Sequence, residues 1–363
     1  MTRPAIAIAG RKIGHGEPPY VIAELSANHN GDIKRAFAIM DAAKAAGADA
    51  VKLQTYTQDT ITIDHDGPGF RLEEGPWRGR TLHALYQEAH MPWQWHEPLF
   101  AYGRKLGLAV FSSVFDETSI DLLERLGTPA YKIASFEAID LPLIERAAST
   151  GKPLIISTGM ANLAEITEAV AAARRGGCKE LALLYCVSGY PTPAADANLR
   201  TIPHLAEAFG TVVGLSDHTL GTGVAVAAVA LGAAIIEKHV TIRRADGGPD
   251  SGFSLEPGEL KTLCGACRDA AAALGAVRYG GKSSEAGNVQ LRRSIYAVAD
   301  IAAGETLTAA KVRSIRPGYG LAPKHLPEVL GRTAVRAIPR GTPIAWNLLA
   351  NSMPSAAKRR RAS

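Results

Sequence analysis

A TIM (β/α)8 barrel followed by a small β-rich C-terminal domain is the fold that this sequence predicts. From residue 19 to about residue 275, short β-branched apolar runs alternate with Ala- and Leu-rich helical stretches in about eight successive units. That number of units and that length are typical of a TIM barrel, and an open doubly wound sheet is the alternative. After Gly280 the sequence changes to short strands and turns, which indicates a second domain.

The predicted elements follow one another in regular order. The strands are residues 20–25, 50–54, 109–113, 131–134, 154–157, 181–186, 212–215 and 234–237. The helices are residues 33–46, 94–106, 117–126, 141–149, 163–175, 202–209, 223–231 and 259–274. Residues 56–93 interrupt this order after the second strand, and we interpret this aromatic, Arg-rich insertion as a specificity lid.

The chain is expected to divide into four parts. Residues 1–280 form the barrel domain, residues 281–284 (Gly-Lys-Ser-Ser) form a linker, and residues 285–350 form the β-rich domain. Residues 351–363 end in Lys358-Arg359-Arg360-Arg361, and we expect this basic tail to be disordered.

Composition excludes several classes of protein. Of the 363 residues, 47% are apolar and 21% are charged, as in an ordinary globular protein. No apolar run is long enough to span a membrane, and the N-terminal apolar stretch is too short for a signal peptide, so we expect a cytoplasmic protein. The net charge of +5 comes partly from the basic tail, and no Lys/Arg stripe with interleaved aromatics indicates nucleic-acid binding.

Polar and charged side chains cluster at the predicted strand ends, which are where parallel barrels bind their ligands. In chain order they are Glu24, Lys52, Gln54, Ser112, Ser113, Lys132, Ser135, Glu137, Ser157, Ser188, Tyr190, Ser216, His218, Glu237 and His239. Lysines at the ends of buried strands are unusual unless an anion pairs with them. Lys52 and Lys132 therefore predict a pocket for a phosphate- and carboxylate-bearing ligand, with an internal ion network to Glu24 and Glu137 as the alternative.

Two histidines end neighbouring predicted strands. His218 and His239, with acidic groups nearby, favour a divalent-metal pair completed by water and substrate over two core histidines. Nitrogen ligands suit Mn²⁺, Co²⁺ or Zn²⁺, whereas Mg²⁺ needs mostly oxygen; the expected cofactor is Mn²⁺, Co²⁺ or Mg²⁺. Asp250 follows the last strand and is either a ligand for substrate hydroxyls or a turn residue.

Taken together, these motifs resemble the sialic acid synthase family. The matching segments are residues 23–31 (AELSANHNG), 51–55 (VKLQT), 130–135 (AYKIAS), 157–160 (STGM), 190–193 (YPTP), 214–219 (GLSDHT) and 237–239 (EKH). The resemblance implies a barrel that condenses phosphoenolpyruvate with an acetamido sugar. It also implies an antifreeze-like (SAF) C-terminal domain that reaches the partner's site in a domain-swapped homodimer, where Arg316 contacts the N-acetyl group in trans.

Within that family, the insertion looks like that of pseudaminic acid synthases, on residues 77–82 (WRGRTL), 85–90 (LYQEAH) and 92–96 (PWQWH). The implied acceptor is 2,4-diacetamido-2,4,6-trideoxy-β-L-altrose, which gives pseudaminic acid and phosphate by C–O cleavage. The alternatives are an N-acetylneuraminate or legionaminic acid synthase with a manno-configured acceptor, a metal-dependent aldolase, and a non-catalytic sugar-binding protein.

Site roles follow from the resemblance together with the residue chemistry. We expect Glu24, Glu137 and Lys132 to be catalytic. The expected substrate-binding residues are Lys52, Gln54, Ser113, Ser135, Ser157, Ser188, Tyr190, Ser216, Asp250 and Arg316. His218 and His239 are the expected metal ligands.

Overall fold

The computed structural model describes residues 4–350 of the chain. The chain divides into two compact units, a barrel unit that extends to Gly275 and a C-terminal unit that begins at Ala276. The basic tail of residues 351–363, which the sequence predicts to be disordered, lies outside the described residues.

Eight parallel strands close into a barrel, which confirms the TIM-barrel prediction. An antiparallel hairpin of β1 (Ala5–Ile8) and β2 (Arg11–Gly14) precedes them. The barrel strands are β3 (Tyr20–Glu24), β4 (Ala50–Thr55), β5 (Ala109–Val114), β6 (Tyr131–Ile133), β7 (Leu154–Ser157), β8 (Leu181–Cys186), β9 (Val212–Asp217) and β10 (Ile235–His239). Because β10 pairs with β3, the sheet has no open edge and the doubly wound alternative is wrong.

Helices connect the strands and cover the outside of the barrel. They are α1 (Ile33–Ala46), α2 (Gln58–Ile61), α3 (Leu82–Ala89), α4 (His96–Leu106), α5 (Glu117–Leu126), α6 (Leu141–Ala148), α7 (Leu163–Arg175), α8 (Thr201–Phe209), α9 (Gly223–Ala230) and α10 (Pro257–Leu274). Helices α2 and α3 lie inside the insertion of residues 56–93, for which the sequence analysis predicts no helix; α3 is the longer of the two. Thr81 caps it by accepting the Ala84 N–H, and its buried Leu85 and Ala89 share one face.

The barrel interior is apolar at one end and polar at the other. Towards the N-terminal ends of the strands, side chains such as Phe111 and Leu184 pack against Ile8 and Ile13 of the β1–β2 hairpin. Burying one such side chain contributes about 1.5–3 kcal/mol. This apolar plug fills the lower half of the barrel, so the inward-facing polar residues meet at the C-terminal ends of the strands.

The C-terminal unit has its own small apolar core. Strand β11 (Ser294–Ala297) pairs antiparallel with β12 (Val312–Ile315), and isolated bridges extend this pairing to other extended segments. The one α-helix described in this unit is the short α11 (Leu326–Val329). The predicted β-rich character of this part of the chain is confirmed. Within residues 4–350, no helix combines the length and apolar character that crossing a membrane requires.

Candidate active site

Strand register brings the predicted residues together at the C-terminal end of the barrel. Glu24 at the end of β3 lies opposite Lys52 of β4 on one side and His239 of β10 on the other. Ser113 of β5 lies opposite Lys132 of β6, and Ser216 of β9 lies opposite Glu237 of β10. The closed sheet therefore places groups that are far apart in sequence around one cavity.

Lys52 is the centre of a buried charge cluster. Its Nζ lies 2.5 Å from Glu24 Oε2 and 3.7 Å from Glu237 Oε1, and it donates to Ser113 Oγ at 2.7 Å. Ser216 Oγ donates to Glu237 Oε1 at 3.2 Å. The internal ion network considered from the sequence thus exists for Lys52. Glu237 is part of it, although the sequence analysis gives this strand-end carboxylate no role.

Lys132 has a different environment. Its side chain is only 1% exposed, and its Nζ donates to the Ile133 carbonyl at 2.8 Å. Among residues 4–350, no carboxylate lies within ion-pair distance of it, so the considered pair with Glu137 does not form. Burial, opposed by the charge of Glu237, lowers the pKa of Lys132. A buried ammonium without a counter-ion is costly, and a bound anion would compensate it.

Three serine hydroxyls lie at or just beyond the ends of β6, β7 and β8, which are adjacent in the barrel, and β6 carries Lys132. Ser135 Oγ and Ser188 Oγ, which follow β6 and β8, are hydrogen-bonded at 2.9 Å. Ser157 Oγ ends β7 and is buried with no hydrogen-bond partner among the described residues. Gln54 is half-buried on β4, two residues beyond Lys52 and therefore on the same face of the strand. These donors can serve a ligand oxygen without first breaking an internal ion pair.

Burial perturbs the carboxylates unequally. It raises the pKa of Glu24 to about 7, although Lys52 opposes the shift. It also raises the pKa of Glu137 to about 7, and Glu137 Oε2 has no partner among the described residues. For Glu237, burial is outweighed by Lys52 and Lys132, which lower its pKa. The site therefore holds one carboxylate that stays ionised and two that titrate near neutral pH.

The two histidines lie side by side at the ends of neighbouring strands. His218 Nδ1 lies 2.9 Å from the Val187 carbonyl, which can only accept, so Nδ1 carries the proton and Nε2 keeps its lone pair. The His218 and His239 ring centroids are 5.4 Å apart. Burial and the nearby His218 lower the pKa of His239 well below its usual range. For His218, Cys186 and the Val187 carbonyl outweigh burial and raise the pKa.

This donor set fits a divalent metal held by two protein ligands. Within the described residues, no group of three or more His, Cys, Asp or Glu side chains converges on one point. Each imidazole has its Nδ1 in a hydrogen bond, which leaves Nε2 as the ligand atom, and the other ligands would come from water and substrate, as the sequence predicts.

Ser26 connects Asp250 to His239. The Ser26 hydroxyl donates to Asp250 Oδ2, which also accepts the Ala27 N–H at 3.3 Å, and His239 Nδ1 lies 3.2 Å from Ser26 Oγ. Burial raises the pKa of Asp250, and the bond from Ser26 opposes this shift. Asp250 is therefore more than a turn residue. Ser26 stands inside a motif that the sequence analysis quotes, but that analysis does not single it out.

Aromatic rings form one wall of the site. Tyr190 lies 4.4 Å from His218, 5.1 Å from Phe253 and 5.6 Å from Trp77 between ring centroids. Trp77 Nε1 donates to the Pro249 carbonyl at 2.8 Å. The insertion after β4 thus contributes a side chain beside the site. Arg316, by contrast, lies in the C-terminal unit, where it follows β12 and is exposed.

Comparison with known proteins identifies the family. A model of the NeuB family matches residues 39–279, and a model of the SAF domain matches residues 292–350. The pseudaminic acid synthase of Helicobacter pylori is 41% identical over 339 residues, which are 93% of this chain and 99% of that protein. The N,N'-diacetyllegionaminic acid synthase of Campylobacter jejuni is 37% identical over 320 residues, 87% and 96% of the two chains.

A solved structure gives the same result. The N-acetylneuraminic acid synthetase of Leptospira borgpetersenii superposes with a TM-score of 0.71 at 31% identity, over 79% of this chain and 95% of that chain. The resemblance that the strand-end motifs carry is therefore confirmed. The chain is an enzyme that belongs to the NeuB family of synthases and has a SAF domain in its C-terminal part.

Proposed function

We propose that this enzyme is a pseudaminic acid synthase. It condenses phosphoenolpyruvate with 2,4-diacetamido-2,4,6-trideoxy-β-L-altrose and water, giving pseudaminic acid and phosphate. The observation that carries the proposal is the buried Lys132 ammonium, which has no carboxylate within ion-pair distance in the described residues and lies among strand ends that carry the Ser135, Ser157 and Ser188 hydroxyls. An anionic substrate would compensate the buried charge and accept hydrogen bonds from the hydroxyl groups.

Phosphoenolpyruvate binds through its two charged groups. Lys132, Ser135 and Ser157 hold phosphate or carboxylate oxygens, while Lys52 contributes its charge from the cluster with Glu24. Ser113, Ser216, Gln54 and Ser188 add hydrogen bonds around the same ligand. This binding aligns the enol carbon with the sugar aldehyde carbon and replaces an improbable encounter by a positioned one.

The carboxylates act after the new carbon–carbon bond has formed. Attack of the enol C3 on the aldehyde breaks the C=O π bond, and the aldehyde oxygen takes up a proton from solvent to become a hydroxyl. The attack leaves cationic character at C2, which Glu24 and Glu137 stabilise in their ionised forms. Glu137 then directs water to C2 and takes its proton. Phosphate leaves from C2 with its bridging oxygen, so the C–O bond breaks and the C2 ketone forms.

His218 and His239 would hold a divalent metal, with Mn²⁺, Co²⁺ or Mg²⁺ as the proposed ions. When bound, such a metal supplies Lewis-acid polarisation of the sugar aldehyde. The protein's own contribution is the fixed orientation of the two imidazoles, each through a hydrogen bond at Nδ1.

The acceptor end of the site favours a sugar with little polarity at one edge. Trp77, Tyr190 and Phe253 form an apolar wall, and a 6-deoxy sugar offers a methyl group to pack against it. This argument fits both 6-deoxy acceptors, of altro or manno configuration, and the 41% identity to a pseudaminic acid synthase, against 37% for the legionaminic acid relative, supports the altrose sugar. A manno-configured acceptor is the second candidate because that relative has nearly the same coverage.

Phosphate release from phosphoenolpyruvate tests the assignment directly. With Mn²⁺ present, we expect release with the altrose sugar and no release with N-acetylmannosamine or 2,4-diacetamido-2,4,6-trideoxy-mannose. Turnover with a manno sugar would retain the mechanism and change the acceptor. No release with any of the three would overturn the condensation and favour an aldolase.

We further propose a domain-swapped homodimer, with residues 281–284 as the linker that precedes the C-terminal domain. Large apolar side chains are exposed on loops at the C-terminal end of the barrel, namely Phe136, Ile139, Met160 and Leu220. An exposed apolar rim of this kind favours a covering partner. The proposed cover is the C-terminal unit of a second copy, which brings Arg316 to the acceptor. The expected location in the cytoplasm stays a prediction.

A pH dependence follows from the role of Glu137. Because its pKa is about 7, the carboxylate is protonated below that pH and cannot accept a proton from water. We expect kcat/KM to fall with decreasing pH below about 7. In the Glu137→Gln variant, the slope of log kcat/KM against pH in this range should be smaller by one unit. The control is Glu145→Gln, which removes a surface partner of Arg175. An unchanged pH profile in Glu137→Gln would remove this residue from the water step.

A further inference from the structure

Ser26 combines an unusual backbone with contacts to two site residues. It follows the end of β3, is 2% exposed, and has a φ of 44°. That left-handed conformation is disfavoured for residues with a side chain. Such conformations persist where the surrounding structure imposes them, and they concentrate at functional sites.

The hydroxyl of Ser26 bridges Asp250 and His239. A serine hydroxyl has a single proton, and here it is donated to Asp250 Oδ2, which also accepts the Ala27 N–H. The remaining contact, between Ser26 Oγ and His239 Nδ1, therefore requires Nδ1 to be the donor. The proton of the neutral His239 ring is then on Nδ1, and the lone pair is on Nε2.

We infer that Ser26 is a positioning residue that fixes the tautomer and orientation of His239 for metal binding. The strained backbone places the hydroxyl between the two side chains, where it donates to the Asp250 carboxylate and accepts from His239 Nδ1. A partner on the second nitrogen is a general means of orienting a histidine ligand, and its loss typically costs about 10–100-fold in metal affinity. The metal-binding part of this inference rests on the proposed function, whereas the tautomer part does not.

Two substitutions at this position separate function from folding. Ser26→Gly removes the hydroxyl but relieves the backbone strain, so we expect an unchanged or higher Tm and an Mn²⁺ affinity weakened about 10–100-fold. Ser26→Thr keeps a hydroxyl on a β-branched residue that tolerates this φ poorly, so we expect a lower Tm with Mn²⁺ affinity nearer to wild type. A purely structural role would instead make affinity follow Tm.

Ala9 offers a matched control. It has a φ of 49° in the β1–β2 hairpin, at the opposite end of the barrel. Ala9→Gly makes the same kind of backbone change and should leave Mn²⁺ affinity unchanged. His239→Ala provides the reference for a lost ligand.

Two readouts on the metal-free protein decide the inference. Titration with Mn²⁺, followed by the electron paramagnetic resonance signal of the free ion, gives the affinity. Nitrogen-15 NMR of labelled histidine, assigned with His239→Ala, gives the tautomer. We expect a proton on Nδ1 in the wild type and a mixture of tautomers in Ser26→Gly.

Unchanged Mn²⁺ affinity in Ser26→Gly, or a wild-type proton on Nε2, would overturn the inference. A wild-type protein that binds no Mn²⁺ would overturn the metal part of the proposed function and the metal-binding role of Ser26 with it. The NMR result would then still decide whether Ser26 sets the tautomer of His239.

Discussion

Replacing Lys132 by methionine is expected to lower kcat/KM strongly while making the protein more stable. Removing one member of a buried charge pair with a ligand costs about 2–5 kcal/mol, so kcat/KM for phosphoenolpyruvate should fall by about 30- to 5,000-fold. The free enzyme has no carboxylate in ion-pair distance of this ammonium among the described residues. Methionine therefore removes a desolvation cost and breaks no ion pair, and Glu237 keeps Lys52 as its partner, so Tm should rise.

Steady-state kinetics and thermal unfolding check both parts of this expectation. Lys152→Met is the matched control, because Lys152 pairs with Glu124 at a partly exposed position and should affect neither quantity much. Activity of Lys132→Met within tenfold of wild type would contradict the anion-binding role. A lower Tm would indicate that Lys132 stabilises the fold.

The same variant tests the swapped dimer. In that arrangement, one complete site needs Lys132 from one chain and Arg316 from the other. Lys132→Met and Arg316→Ala should each be inactive alone, and refolding them together should restore activity through the mixed dimer. If mass spectrometry shows mixed dimers but the mixture stays inactive, each site uses residues of a single chain.

Much of this architecture follows from local sequence patterns. The eight apolar runs locate every barrel strand to within one or two residues, because strands buried on both faces leave continuous apolar segments. Parallel closure then brings Lys52, Lys132, His218 and His239 to one end of the barrel, whatever their separation in sequence. The candidate site could therefore be assembled from the sequence before any distance was known.

Contacts between distant segments are what the sequence could not provide. Trp77 donates to Pro249, 172 residues away, and nothing in the local pattern of either segment indicates that bond. The sequence also could not distinguish the two lysines, because both end similar strands. Only the structure shows that Lys52 pairs with Glu24, whereas Lys132 has no carboxylate within ion-pair distance among the described residues. The left-handed backbone of Ser26 is equally hidden, because serine has no preference for that conformation.

Breaking the buried pair between Lys238 and Asp217 should produce the largest loss of stability in the barrel. Lys238 Nζ lies 2.7 Å from Asp217 Oδ2, with the two side chains 0% and 1% exposed. Asp217 also accepts the Thr219 N–H and hydroxyl, and Lys238 donates to the Thr219 carbonyl. Lys238→Met leaves an uncompensated buried carboxylate, so we expect a loss of about 3–5 kcal/mol in the free energy of unfolding.

The double variant distinguishes the cost of a lone charge from the value of the pair. In Lys238→Met with Asp217→Asn, no charge remains and the asparagine oxygen can still accept from Thr219, so urea unfolding should recover most of the loss. A double variant as unstable as Lys238→Met would mean that the pair itself stabilises the barrel. The pair joins β9 to β10 at the residues beside His218 and His239, on the face of the sheet away from the cavity. Recovery of stability would thus show that positions 217 and 238, on the outer face of these strand ends, tolerate neutral residues. The condition is that no single charge is left buried.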